Sequence, residues 1–327
     1  MSASKQPGGR KTSGRKGMAK AEVPAAGQVR PAPQAQPTGF ETKTEPPVSR
    51  IVPPRAPERL PLKPWAAKPW MPGTTTAFSY QAPDPVPADL VSICVTNYNY
   101  ADHLPDCLAS LVAQTHPSLD LIIVDDHSTR DDSIRVAVEW LSEHAKRFHR
   151  ATLLSQNRNQ GVSVARNTAF DHAISEYVFV IDADNDAFPR AIARLYRAIR
   201  DGGFDATYSQ LVEYGDRVGI GRADIWDPVE LVRNNYVDVM SIVLKSAWKR
   251  IGGYSHIDEG WEDYDFWLKF VDAGLLAGYV PEILCRYRVH GKSRTATEAA
   301  AAHHKLKRIM ALRHPPLLEP DENAPKT

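Results

Sequence analysis

The stretch YVFVIDADNDAF, residues 177–188, decides how this chain is read. Tyr177–Ile181 is an unbroken apolar and aromatic run of five residues, and Asp182, Asp184 and Asp186 follow at alternate positions. A short apolar run bounded by polar residues reads as a buried strand. Its carboxylates then stand at the strand's C-terminal end.

The same pattern occurs twice upstream. LVSICVTNYN starts with the run Leu90–Val95 and turns polar, and LDLIIVDDHS ends in Asp125 and Asp126. Helical stripes lie between these runs. Leu104, Leu108, Leu111 and Val112 form one, with Pro105 in its first turn and Pro117 past its end. Ile134, Val138, Leu141, Ala145 and Phe148 form the next. ATLLSQ reads as a strand, NQGVSVARNTAFDHA as a loop and helix, and a further helix starts near Pro189 with Ile192, Leu195, Tyr196 and Ile199 on one face. Alternating strands and helices predict an α/β domain with a mostly parallel sheet covered on both faces. Ligands of such sheets bind outside the carboxyl ends of the strands, which is where the aspartates fall.

The second half is less regular. ATYSQLVEY and VMSIVLKSAWKRIGGY suggest a strand, then a strand, short helix and Gly-Gly turn. GWEDYDFWLKFVDAG opens a helix with acids in its first turn, where the helix dipole favours them, and Gly274 closes it. AGYVPEILCRYRVHG is a last strand, and TATEAAAAHHKLKRIMALRHPP a closing helix.

The N-terminal part differs in composition. Residues 1–88 hold 13 Lys/Arg against 5 Asp/Glu and 17 of the chain's 26 prolines, so they carry +8, while the remainder carries −7. Such a segment buries too little apolar surface to offset its ordering entropy, and 1–88 is expected to be a disordered basic extension in which Trp65, Trp70 and Phe78 are candidate docking residues. The domain is expected at 89–313, with a tail at 314–327. No apolar run matches a secretory signal or a membrane span, so a cytoplasmic protein is expected, either with a solvated extension or with that extension against the inner membrane face or an acidic partner. The basic extension does not by itself imply nucleic acid. Cys94, Cys107 and Cys285 lie far apart and read as reduced, buried thiols.

Asp182-Ala183-Asp184-Asn185-Asp186 has three readings. A calcium-binding EF-hand loop fails, because its sixth and twelfth positions would be Ala187 and Ala193 rather than Gly and Glu. A solvated turn capping the next helix fits Asn185 or Asp186 individually, but leaves Asp125–Asp126 unexplained. The third is a Mg²⁺ or Mn²⁺ site completed by a nucleotide diphosphate, since these ions take a few carboxylates with phosphate and water oxygens.

Four segments, in order and at this spacing, carry a resemblance: VSICVTNYNYADHLPDCLASLVAQTHPSLDLIIVDDHSTRDDS, NQGVSVARNTAF, YVFVIDADND and GWEDYDFWLKFVDAG. Over about residues 89–295 the chain resembles the family 2 glycosyltransferases, which have the GT-A fold. The resemblance implies an inverting enzyme that moves a sugar, hexosyl or N-acetylhexosaminyl, from a nucleotide diphosphate sugar, a UDP-sugar first, to a hydroxyl of a glycan, lipid-linked saccharide or protein, with Mn²⁺ or Mg²⁺. Thr96 and Tyr98 match positions that hold the base, and Asp126 the acceptor for the uracil N–H. Arg166 matches a basic residue near the nucleotide, with a surface helix arginine as the alternative. Asp182 and Asp184 match the D-x-D, with Asp184 the direct metal ligand and Asn185 and Asp186 in support. Asp263 matches the general base, its pKa raised by Glu262, Asp265, Trp261 and Trp267. His290 is either a metal ligand or a loop histidine, and Lys292 or Arg294 are candidate phosphate contacts. Acceptor contacts are expected from about 205–260, with Trp226, Asn234, Asn235, Tyr236 and the IGGY turn as candidates. Two competing functions are a nucleotidyltransferase, which would need a Gly-rich basic loop after the first strand that TNYNYADH lacks, and a non-catalytic nucleotide-sugar scaffold, which would not need Asp263.

Overall fold

The computed structural model describes residues 73–258, 260–291 and 302–315. All of them belong to the unit Pro46–Thr327. In chain order the elements are β1 (Thr74–Gln81), β2 (Val91–Asn97), α1 (Leu104–Val112), β3 (Leu119–Asp125), α2 (Ser133–His144), β4 (Arg150–Gln156), α3 (Val162–His172), β5 (Tyr177–Asp182), β6 (Asp186–Ala187), α4 (Ala191–Gly202), β7 (Ala206–Gly215), β8 (Gly219–Ile220), α5 (Pro228–Arg233), β9 (Ser241–Leu244), α6 (Lys245–Arg250), α7 (Glu262–Asp272), β10 (Ala277–Val289) and α8 (His303–Arg313).

The strands form one sheet in the order β1-β4-β3-β2-β5-β9-β7-β10-β6, with β8 paired to β7. Its centre, β4-β3-β2-β5, is parallel, as are β7 and β10. β1, β6, β8 and β9 all pair antiparallel. The sheet is therefore mixed, with most of its paired residues in parallel ladders, as expected. The central runs were readable because parallel strands covered on both faces are apolar throughout: every residue of β2 and β3 is buried.

Register places the functional ends together. Thr96 of β2 lies opposite Val124 of β3 and Asp182 of β5, and Asn97 lies opposite Asp125. The polar tips of three strands thus share one edge. The two-residue strand β6 then runs antiparallel to β10, with Asp186 opposite Arg286. Moving back along the chain from Asp186 therefore moves forward along β10, which carries His290 to Asp184.

Two expected boundaries are corrected. β1 lies inside the segment 1–88 expected to be disordered, and pairs along β4 from Thr74↔Gln156 to Gln81↔Arg150. Phe78 and Tyr80 pack from it onto the core. The domain also does not end at 313, because His314, expected to open a tail, is fully buried. Trp65, Trp70, Lys292 and Arg294 lie outside the described residues. Among the described residues no helix is long and apolar enough to cross a membrane, and all three cysteines are buried free thiols.

Candidate active site

The strand tips open into a cleft of about 2880 Å³. Thr96, Tyr98, Asp126, Arg166, Asp182, Asp184 and Asp263 all line it. Ordinary small-molecule pockets hold about 300–1,000 Å³, so this cleft has room for two substrates.

Asp125 and Asp126 have different tasks. Asp125 accepts from Asn97 Nδ2 at 2.6 Å and from the Ser128 hydroxyl at 2.6 Å, which ties the ends of β2 and β3 to the following turn. Asp126 faces the loop before α3, where its two oxygens accept the N–H groups of Gln160 at 2.8 Å and Gly161 at 2.7 Å. A carboxylate offers about four acceptor positions, so each oxygen keeps one. Burial pushes Asp126 up to about 6, although those two N–H groups oppose the shift. Gly161 has φ of 89°, and a Cβ there would stand 3.1 Å from the His256 ring. Only glycine fits this approach without strain. Tyr98 is half-buried, with the Arg130 guanidinium 5.5 Å from its ring centre.

Arg166 is not a surface arginine, being 3% exposed. One of its terminal nitrogens donates to both oxygens of Asp182, at 3.0 and 2.8 Å, and the other to Glu262 at 3.3 Å. Its Nε–H has no partner among the described residues. The Thr96 hydroxyl donates to Asp182 at 2.5 Å, so it is committed to a carboxylate rather than turned toward a base. Asp182 is thus a hub for β2, α3 and β5, and through Arg166 it reaches α7.

Asp184 and His290 meet, with Oδ2 and Nε2 3.1 Å apart. Tyr100 and His103 pack around His290, with ring centres 5.7 and 5.2 Å from it. Burial, then the Asp184 charge, pushes the Tyr100 hydroxyl up. Among the described residues no three His, Cys, Asp or Glu side chains converge to enclose a metal ion. One carboxylate and one imidazole could supply two ligands of a divalent cation, with a diphosphate and water supplying the rest. Asp186 is turned away, accepting the Tyr214 hydroxyl at 2.6 Å and pairing with Arg286 at 3.3 Å. It does not cap the next helix, whose N-cap is Arg190. Asn185 accepts the Arg288 N–H at 2.9 Å.

Asp263 stands in the first turn of α7. Trp261, just before this helix, has φ of 62°, a strained conformation for a bulky residue that persists where the surroundings hold it. Asp263 accepts from the Tyr264 N–H at 2.8 Å and from Asn235 Nδ2 at 3.1 Å. Burial and then the Glu262 charge push it up to about 6, against Arg166, Tyr264 and Asn235. Asp265 is not one of the groups that raises it. That carboxylate is fully buried and held by Arg313 at 2.5 Å, His314 at 3.0 Å and Lys269 at 3.6 Å, and this network holds it well below the usual range. Trp267 is a core residue, 1% exposed, packed on Trp226 and Phe270. Trp226 is buried with it and does not line the cleft, whereas Asn234, Asn235, Tyr236 and the turn Gly252–Tyr254 do. That turn is fixed by Asn167, which takes the Tyr254 N–H at 2.8 Å; a Cβ on Gly253 would stand 2.5 Å from the same oxygen.

One cleft carboxylate was not foreseen. Asp238 accepts the Met240 N–H at 2.8 Å. Burial, then the charges of Asp263 and Asp182, push it up to about 7, against that N–H. Its only sequence signal was an isolated acid just before an apolar strand.

Residues 92–245 match the family model for glycosyl transferase family 2. An uncharacterized glycosyltransferase, YibD, of Escherichia coli is 27% identical over 225 residues, which is 62% of this chain and 62% of that protein. The chain therefore spans under two thirds of this relative's length. Among solved structures, S. aureus TarS 1–349 in complex with UDP-GlcNAc superposes with a TM-score of 0.57 at 15% identity, over 68% of this chain and 66% of that one. The mannosyltransferase PcManGT from Pyrobaculum calidifontis, in complex with GDP-Man and Mn²⁺, gives 0.52 at 24% identity, over 73% and 70%. The chain has a GT-A fold, and its residues 92–245 match the glycosyl transferase family 2 model.

Proposed function

We propose that this protein transfers a sugar from a nucleotide diphosphate sugar, a UDP-sugar first, to an acceptor hydroxyl with inversion at the sugar carbon. The observation that carries this reading is that Asp182, Asp184, His290 and Asp263 line or adjoin one cleft, with Asp184 and His290 3.1 Å apart. Asp126 and Tyr98 form the base end. Asp184 and His290 would hold a Mn²⁺ or Mg²⁺ ion. When bound, this ion offsets the charge that gathers on the departing diphosphate.

Asp263 takes the proton. As the acceptor oxygen bonds to the sugar carbon, the bond from that carbon to the diphosphate oxygen breaks, and the nucleoside diphosphate leaves with the electron pair. The acceptor proton passes to the Asp263 carboxylate. A raised pKa suits this task, because a base works best when its pKa lies near the working pH. Asn235 and the Tyr264 N–H orient the carboxylate. Arg166, held between Asp182 and Glu262, fixes the donor side relative to the base.

Calorimetry of UDP binding tests the donor half. Wild type is expected to bind UDP with Mn²⁺ and at least tenfold more weakly with EDTA, and Asp184→Ala to lose the difference. Equal binding with and without metal would remove the metal from the account.

A further inference from the structure

The loop 234–240, between α5 and β9, brings two side chains to the reacting end of the cleft. Asn235 donates to Asp263 at 3.1 Å, and Asp238 lines the cleft three residues later. Val237 and Val239, on either side of Asp238, are buried in the core and anchor the backbone there.

The sheet register says where Asp238 stands. β9 runs antiparallel to β5, with Val178 opposite Val243 and Phe179 opposite Ile242. Each step back along β9 is thus a step forward along β5, so the loop before β9 comes alongside the tip of β5 that carries Asp182 and Asp184. The charges that act on Asp238 agree with this placement: they are those of Asp263 and Asp182, opposed by Arg166. Asp238 therefore lies between the diphosphate position at Asp184 and the base position at Asp263. In the transferase reading, on which this inference rests, that space holds the ring of the sugar being moved.

The side chain is equipped to meet such a ring. Oδ1 accepts the Met240 N–H at 2.8 Å, and Oδ2 makes no hydrogen bond among the described residues. Arg166, the cation that acts on it, is already committed to Asp182 and Glu262. A carboxylate with open acceptor positions and no cation of its own accepts from hydroxyl groups and repels another anion.

We propose that Asp238 binds the transferred sugar, accepting hydrogen bonds from one or two of its ring hydroxyls, and that it confines the donor to uncharged, hydroxylated sugars. A site built to hydrogen-bond a hydroxyl rejects the analogue that lacks it, because its own polar group is then left unpaired. In Asp238→Asn the amide oxygen can keep the Met240 N–H while the NH₂ group faces the sugar, so the loop is retained and the acceptor is lost.

The test is calorimetry on the full chain with Mn²⁺. UDP-glucose, UDP-galactose, UDP-N-acetylglucosamine and GDP-mannose are compared, and the one that binds tightest becomes the probe, with its monodeoxy analogues and its free nucleoside diphosphate. Wild type is expected to bind at least one deoxy analogue tenfold or more weakly than the probe, and UDP-glucuronate tenfold or more weakly than UDP-glucose. Asp238→Asn is expected to bind the probe at least tenfold more weakly than wild type does, to bind the probe and that analogue alike, and to bind the nucleoside diphosphate as wild type does. A loss that merely reflected a disturbed loop would not cancel against the missing hydroxyl in this way. Equal weakening of nucleoside diphosphate and probe would overturn the proposal, as would probe binding unchanged by Asp238→Asn, or UDP-glucuronate bound as tightly as UDP-glucose. Wild type that bound neither UDP nor GDP would instead overturn the transferase reading itself, and with it this role for Asp238.

Discussion

Both oxygens of Asp182 accept hydrogen bonds from a single terminal nitrogen of Arg166, at 3.0 and 2.8 Å. The other terminal nitrogen reaches Glu262, so one buried cation connects the tip of β5 to the helix that carries the candidate base. Removing one partner of a buried ion pair leaves an uncompensated charge and costs about 3–5 kcal/mol. Arg166→Ala is expected to lose about that much in urea unfolding. Arg166→Lys should recover only part, since an ammonium cannot span two carboxylates as a planar guanidinium does. A loss under about 1 kcal/mol for Ala would show that Asp182 and Glu262 do not depend on Arg166.

As the proposed base, Asp263 is expected to set the acid limb of activity. Its carboxyl, raised to about 6, must be ionised to accept a proton. Transfer is therefore expected to rise about tenfold per pH unit below 6 and level off above it. The Glu262 charge is the second cause of the shift, so Glu262→Gln should move the midpoint to lower pH. A rate that is flat from pH 5 to 7 would contradict the assignment.

The Asp265 network predicts the opposite end of the pH scale. His314 is fully buried, with Nε2 3.0 Å from Asp265 and Nδ1 2.6 Å from Asp272. Carboxylates only accept, so the ring carries both protons. Burial opposes that charge, but hydrogen bonds to the two carboxylates outweigh it and raise the pKa. A raised folded value gives stability that is complete below the unfolded value of about 6.5 and fades as pH climbs through the folded one. Protection of the α8 amides, relative to their intrinsic base-catalysed exchange, should therefore fall above neutral pH in wild type. In His314→Gln that protection should be low throughout and independent of pH.

The sheet's centre and the carboxylates at its edge were legible because both are local. An apolar run of strand length that ends in polar residues or acids states burial and strand end in one segment, and β2, β3 and β5 each follow that rule. Edge elements do not. β1 has a polar and aromatic alternation in a proline-rich region and owes its existence to pairing with β4, about 75 residues away, which composition cannot report. Site roles set by distant partners were equally hidden. Asp265 looked like a charge beside Asp263 until Arg313 and His314, 48 and 49 residues on, neutralised it. Trp226 looked like an acceptor platform, yet its ring belongs to the Trp267 core. The resemblance left His290 as either a metal ligand or a loop histidine, and its approach to Asp184 arises because β6 runs antiparallel to β10.

The central claim is nucleotide-sugar chemistry at Asp184 and Asp263. The most direct measurement is release of UDP or GDP from a panel of their sugars by the full chain, with water as acceptor and with Mn²⁺, Mg²⁺ or EDTA. Metal-dependent release from one donor, reduced about 10²–10⁴-fold in Asp263→Asn while UDP binding persists, is the predicted result. Release that persists in EDTA, or at the wild-type rate in Asp263→Asn, would contradict it.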